Sequence, residues 1–264
     1  MLRHRILTSV VLVPLLIVVI WFGEPWFALL IAAVAGIAGW EFYCMASGAK
    51  VHPLTYLGIT WIVLLIGIPL CPYTSALTIL ISSVVVISLL WLLLRQPRDD
   101  AFTSWSWTIA GIFYIGWMFS YWVRLRGLEI GKELVFLTMF TTFVNDTGAF
   151  FIGRTWGKRK MAPSISSGKT WEGAIGGLLC SIAASFIIAL IFNLPYSYWQ
   201  IAIAGLVISV FAQLGDLVES LLKRNTGVKD AGKLVPGHGG ILDRFDSLIF
   251  TGVIVYYLVE LMKL

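Results

Sequence analysis

The sequence predicts an all-α fold, a polytopic transmembrane helical bundle of about nine spans, and three observations carry that expectation. Hydrophobic residues make up 59% of the 264-residue chain and charged residues only 12%, against about 25% charged in a soluble domain. Apolar runs such as Thr8 to Phe22, Phe27 to Trp40 and Leu77 to Leu94 each come close to the roughly 20 residues that cross a bilayer. A lipid-embedded segment must pair every backbone polar group internally, so these runs are read as helices.

Taken in order, the spans fall near 6–22, 26–46, 54–70, 74–94, 105–123, 133–153, 171–193, 198–221 and 246–263. The first follows Arg3 and Arg5 but lacks a small-residue cleavage site, and it is read as a retained span rather than a signal peptide. Turn residues separate neighbouring spans, as in Gly23-Glu24-Pro25 and Asn193-Leu194-Pro195. With Arg3 and Arg5 inside, alternation puts Lys50, Arg95 with Arg98, the 154–170 loop and the 222–245 loop on the cytoplasmic side, as the positive-inside rule expects. Arg124, Arg126 and Lys132 fall on the opposite side and disagree. No repeat or low-complexity linker interrupts the chain. It is read as one integral membrane domain, 1–264, with residues 1–132 a mainly apolar scaffold and 133–264 the catalytic part.

The charges are unevenly placed. Residues 1–93 hold only Arg3, Arg5, Glu24, Glu41 and Lys50, whereas ten of the 19 Lys and Arg residues lie in 154–170 and 223–246. Seven of the 14 acids, namely Asp146, Glu172, Asp216, Glu219, Asp230, Asp243 and Asp246, are interleaved with them. Ionisable groups at a membrane boundary are costly to keep, so this half is where function is expected. Phosphate and a divalent metal are the guests that such a mixture suits. Cys44, Cys71 and Cys180 are far apart in apolar surroundings and are read as packing residues.

Asp216, Glu219, Ser220 and Lys223 recur at helical spacing and form one polar stripe. Asp216 must then face a protein interior or a wet cavity, either in an interhelical ion pair or in a site. Gly237, Gly239 and Gly240 precede Asp243 and let backbone N–H groups approach an anion. Mg²⁺ takes one or two carboxylates plus phosphate oxygens and water, which Asp216 and Asp243 could supply to a bound triphosphate. Lys223, Arg224, Lys229, Lys233 and Arg244 form the cationic clamp. His238 either donates to phosphate or holds the glycine turn.

Asn145 and Asp146 sit about 12 Å inside Arg154 on the sixth span at roughly 1.5 Å rise per residue. The small neighbours Gly148, Ala149 and Gly153 suit close helix packing. Gly168-Lys169-Thr170 invites a P-loop reading, which fails because Pro163 stands where the first glycine is required and no strand is expected before it. Ser167, Lys169 and Thr170 are instead placed at the start of the seventh helix, where free N–H groups favour an anion, and Glu172 is read as a cap. Glu41, alone among apolar residues, either pairs with a basic residue of the back half or holds a polar contact in the bundle.

These residues resemble the phosphatidate cytidylyltransferases, or CDP-diacylglycerol synthases. The C-terminal pattern of that family is similar to Ser220, Leu222, Lys223, Arg224, Lys229, Asp230, Gly232, Pro236, His238, Gly239, Gly240, Asp243, Arg244 and Asp246. The segments from Asn145 to Arg154 and from Lys169 to Gly173 resemble two further family segments in the expected order. Ser167 stands where the family usually has proline, and the front half matches only in hydropathy and in Trp40-Glu41.

The resemblance implies cytidylyl transfer from CTP to phosphatidic acid, with Mg²⁺ required, a second cation near it, and a homodimer. Asp216 and Asp243 are then expected to bind the metal, with Asp146 as a third carboxylate or outer partner. Lys169, Thr170, Lys223, Arg224, Lys229, Lys233, His238, Gly239, Gly240 and Arg244 are expected to hold the substrates. Membrane lipids are the surroundings, no nucleic-acid partner is expected, and the compact chain fits a bacterial inner membrane with the site facing the cytoplasm. A CTP-dependent lipid kinase would use the same ingredients. An anionic-solute transporter would instead show broken spans in two corresponding halves, whereas this chain concentrates its polar residues in one.

Overall fold

In a computed structural model, residues 14–49, 51–94, 100–232 and 239–262 are described. Helix α1 occupies 14–22 among these residues, followed by α2 (Trp26–Gly48), α3 (Thr55–Gly67) with a 3₁₀ turn at Ile68–Leu70, and α4 (Ala76–Leu94). Next come α5 (Ala101–Gly111), a π-helical segment at Ile112–Trp117, α6 (Met118–Arg126) and α7 (Gly131–Trp156). Two short strands, β1 (Lys160–Ala162) and β2 (Ser166–Thr170), lead into α8 (Trp171–Phe192), α9 (Tyr198–Asn225) and α10 (Leu242–Met262). The all-α expectation therefore holds for the bundle and needs amendment at the hairpin. The positively charged flanks Arg3, Arg5, Lys50, Arg95 and Arg98 lie outside the described residues, as do Lys233, Gly237 and His238.

Among the described residues six helices, α2, α4, α7, α8, α9 and α10, are long and apolar enough to cross a membrane. Of the three remaining expected spans, the first, near 6–22, begins outside the described residues, and the other two have physical reasons for falling short of that measure. The 54–70 run is a shorter apolar helix, Thr55–Leu70, whose last turn tightens at Pro69. The 105–123 run is helical but passes from α to π and back, so no single regular helix there reaches spanning length.

The chain forms two compact units. One contains the chain up to Val123 together with Asn225–Arg244, and the other contains Arg124–Arg224 with Phe245–Leu264. In the first unit the central plug is Tyr43 of α2, fully buried. Its ring lies against Gly58 of α3 and Gly111 of α5, where any Cβ would overlap it. Its hydroxyl donates to the Thr108 carbonyl at 3.0 Å. Thr108 Oγ1 in turn accepts the Leu54 N–H at 2.8 Å, so one polar thread links three helices inside an apolar core. Trp61 donates to Ser83 and Trp105 to Ser88, tying α4 to α3 and α5 by single hydrogen bonds.

In the second unit α7 and α8 make the most extensive helix pairing. Glycines permit it: a Cβ at Gly148 would meet the Cys180 thiol at 2.8 Å, and one at Gly173 would meet the Ala149 carbonyl at 2.7 Å. Small residues let helices in lipid gain packing contacts that apolar burial alone does not provide, as the spacing of Gly148, Ala149 and Gly153 predicted. Ser181 and Ser185 on α8 donate to the carbonyls of Gly205 and Ile201 on α9 at 2.7 and 3.1 Å. Gly215 of α9 lies against the Asp246 carbonyl of α10, with a virtual Cβ only 2.7 Å away.

The tight fit around Tyr43 sets an expectation for stability. Gly58→Val forces side-chain volume into a filled site and should cost about 1–3 kcal/mol, whereas Tyr43→Phe, which loses one hydrogen bond, should cost about 1 kcal/mol. Equilibrium unfolding of the detergent-solubilised protein ranks the two.

Candidate active site

The second unit brings together residues from α7, the hairpin, α8 and α9 around a cavity of about 520 Å³. Its walls include Asp146, Phe150 and Arg154 from α7, Lys160 and Lys169 from the two strands, and Asp216 from α9. Each helix places its residue for a local reason. Asp146 lies along α7 beside the glycine seam that draws α8 close, and Asp216 continues the polar stripe of α9. The stripe runs further into the bundle than Asp216, because Gln213 and Ser209 continue it at the preceding turns.

Asn145 is the hub of that deeper network. It is fully buried, and its Oδ1 accepts the Ser209 hydroxyl at 2.6 Å and Gln213 Nε2 at 3.4 Å. Gln213 also donates to the Ala174 carbonyl at 3.1 Å. The Asn145 amide nitrogen donates to Asp146 Oδ1 at 3.0 Å, so the network ends on the carboxylate that lines the cavity. Ser247 of α10 lies close to the same carboxylate.

Lys169 reaches from β2 to Asp216, Nζ to Oδ1 at 2.9 Å, with about four-fifths of the lysine side chain buried. The hairpin makes this reach possible. Its strands are antiparallel, with Lys160 opposite Thr170 and Ala162 opposite Ser166. Thr170 then caps α8, its hydroxyl oxygen accepting the Gly173 N–H at 3.2 Å. Glu172 is not the cap: its carboxylate accepts the N–H groups of Lys158 and Arg159 at 3.0 to 3.2 Å and fastens the start of the hairpin to α8. Arg224 Nε donates to the Ile165 carbonyl at 3.2 Å and holds the hairpin turn to the end of α9.

The hairpin corrects one ground for setting aside a P-loop, since Gly168-Lys169-Thr170 does lie on a strand that enters a helix. The other ground stands. Pro163 occupies the first glycine position, and the strand belongs to an antiparallel hairpin rather than to a βαβ unit.

Two further carboxylates belong to the same cluster. Asp246 of α10 is 9% exposed and lies within electrostatic reach of Asp216, Glu219 and Asp146. Glu219 is fully buried and ion-paired one turn along α9 with Lys223. Lys223, expected as a phosphate clamp, thus has a carboxylate partner in this state. Asp246 was not singled out as a site residue from the sequence. Its spacing of three from Asp243 on a helix was the available signal.

The other expected site residues that are described lie in the first unit. Asp243 accepts the Ala231 N–H at 3.1 and 3.3 Å and the Gly240 N–H at 3.0 Å, closing a loop at the start of α10. Gly239 has φ of +89°, the left-handed region that its lack of a side chain permits. Lys229, Asp230 and Arg244 are exposed.

Among the described residues no three His, Cys, Asp or Glu side chains form a ready-made metal cluster. The donor chemistry nevertheless suits Mg²⁺, because Asp146 and Asp216 put hard oxygen ligands on one cavity wall. A magnesium ion needs only one or two such carboxylates when phosphate and water complete its shell.

A cavity joining carboxylates to a largely buried lysine, with Arg154 and Lys160 on its walls, is suited to bringing anions together. The family model described as the cytidylyltransferase family matches residues 3–262. This chain belongs to the cytidylyltransferase family. It is accordingly a nucleotidyltransferase, and the resemblance read from its sequence holds over nearly the whole chain. A cytidylyltransferase relative from Bacillus subtilis (strain 168), named phosphatidate cytidylyltransferase, is 34% identical over 98% of each chain. A protein of that name from Brucella suis biovar 1 is 32% identical over 97% of this chain and 92% of its own. One from Staphylococcus epidermidis (strain ATCC 12228 / FDA PCI 1200) is 44% identical over 58% of this chain and 56% of its own.

The Asn145 network predicts a double effect of its removal. Asn145→Leu leaves Ser209 and Gln213 without their shared acceptor and should cost about 1–3 kcal/mol. It should also lower turnover, because Asp146 loses an orienting donor. Unfolding and activity measured on one preparation, beside the control Thr60→Ala on the exposed side of α3, test both outcomes.

Proposed function

We propose that this cytidylyltransferase moves the cytidylyl group of CTP onto phosphatidic acid, giving CDP-diacylglycerol and pyrophosphate. The observation that carries the reading is the Lys169–Asp216 pair on the wall of a cavity that also holds Asp146, Arg154 and Lys160. The relatives named phosphatidate cytidylyltransferase, aligned over nearly the full length, support the choice of substrates.

The reaction asks mainly for placement. An oxygen of the lipid phosphate attacks the α phosphorus of CTP, and the bond from that phosphorus to the oxygen bridging to the β phosphate breaks. Pyrophosphate leaves with the electron pair. The nucleophile is already an anion, so no serine or cysteine is required. The obstacle is repulsion between two anions, which fixed positive charge lowers.

In this reading Lys169 holds a phosphate oxygen once substrate displaces Asp216 from it, and Thr170 keeps the helix start in place beside it. Lys223, Arg224, Lys229, Lys233 and Arg244 hold the other phosphates, with the N–H groups of Gly239 and Gly240 and the imidazole of His238. Asp216 and Asp243 are the proposed Mg²⁺ ligands, with Asp146 as a third carboxylate or an outer partner. When bound, Mg²⁺ neutralises phosphate charge and stabilises the leaving pyrophosphate. A second cation, a homodimer, a nine-span arrangement in the bacterial inner membrane and a site opening to the cytoplasm complete the proposal. Residues 133–264 carry the chemistry on an apolar scaffold.

The test supplies CTP labelled at the α phosphate to the purified protein in phosphatidate-containing micelles. Label should appear in the lipid, with one pyrophosphate released per lipid formed. Label remaining in CDP while the lipid gains an unlabelled phosphate would identify a kinase and refute the proposal.

A further inference from the structure

Glu41 sits near the middle of α2 in the first unit, 2% exposed, in a region otherwise apolar. Among the described residues its partners in that unit are backbone groups rather than a lysine or arginine. Oε2 accepts the Leu242 N–H at 2.8 Å across 201 residues of sequence, and the Ile241 backbone lies close enough to interact with the same carboxylate. The Leu242 N–H is at the start of α10, where such groups lack partners within their own helix. A carboxylate there is favoured both by the hydrogen bond and by the helix dipole. Glu41 therefore caps a helix from outside the local chain.

The loop before α10 is shaped around this carboxylate. A Cβ at Gly232 would collide with Oε1, and one at Gly240 would lie 2.7 Å from Oε2. Oε1 itself is buried without a hydrogen-bond partner among the described residues. Asp243 fastens the same segment from the other side through the N–H groups of Ala231 and Gly240. Two carboxylates thus clasp one short piece of backbone, and Glu41 is the one that does not belong to that piece.

We propose that Glu41 is a positioning residue for the transfer reaction: it fixes the backbone at 240–242 and thereby the directions in which Asp243 and Arg244 project. The inference rests on the functional reading above, which gives Asp243 and Arg244 their roles. It adds that α2, in the half of the chain poor in charge, contributes to turnover without touching substrate. Gly232 and Gly240 are part of the same device, because only glycine leaves room for the Glu41 carboxylate.

The test compares E41A, E41Q and G232A in the full-length protein in phosphatidate micelles. A misplacement of about 1 Å at a catalytic group costs roughly 100-fold in rate. E41A is therefore expected to lose about 10- to 100-fold in kcat, with KM for CTP and phosphatidate changed less than about threefold. E41Q keeps one acceptor oxygen and should recover much of the loss. G232A should resemble E41A, and the E41A/G232A double variant should be no worse than either, since both break one contact. Amide hydrogen exchange at 241 and 242 should accelerate in E41A and G232A whatever the activity.

Wild-type kcat in E41A, or in G232A if E41A does not accumulate, would overturn the positioning role while leaving the transfer reaction intact. Unchanged exchange at 241 and 242 would overturn the contact itself. Absence of label transfer by the wild type would instead overturn the functional reading, and with it the catalytic half of this inference.

Discussion

Carboxylates held inside an apolar helical bundle are the constraint from which the other features of this molecule follow. Each must find hydrogen bonds or an opposite charge, because an isolated charge in such surroundings is costly. In the second unit the answer is Lys169, delivered to Asp216 at 2.9 Å by a hairpin between two spans. The glycine seam between α7 and α8, the Thr170 cap and the Glu172 fastening all help to place that lysine. Asp146 is steadied by Asn145, and Glu219 by Lys223.

The same constraint explains why the cluster suits substrate. A surface salt bridge contributes little, and a largely buried one is weak evidence of stability because desolvation offsets the attraction. The Lys169–Asp216 pair is therefore better understood as a prepared charge arrangement than as a structural staple. In the proposed reaction a phosphate arriving at Lys169 would free the Asp216 carboxylate for a cation, so one exchange of partners would ready both groups. In the first unit Glu41 meets the same problem differently, taking backbone N–H groups as partners.

Much of this was legible in the sequence. Long uncharged runs gave helices where α2, α4, α7, α8, α9 and α10 lie, because hydrophobic length and backbone pairing leave little choice. Asp216, Asp146 and Lys169 were recognisable because charge so near an apolar run demands a use. The hairpin was hidden, since Lys160–Ala162 and Ser166–Thr170 are too short and polar to show a strand period. The π-helical stretch at Ile112–Trp117 has no local signature either; it begins just past Gly111, where α5 meets the Tyr43 ring. Asp246 and the Asn145 network became visible only once four helices were brought together. Glu41 could be seen as anomalous, but its partners lie 200 residues away and are backbone atoms that no side-chain pattern announces.

The central claim is that Asp216 serves a cation and phosphate together. Manganese can stand in for magnesium and gives a paramagnetic signal that distinguishes free from bound ion. Titration of the purified protein with Mn²⁺ in the presence of CTP, against Asp216→Asn, measures this directly. The account predicts a CTP-dependent bound ion in the wild type and affinity weakened at least about tenfold in the variant, as loss of one charged ligand implies. Equal Mn²⁺ affinity in the two proteins, with CTP present, would contradict it.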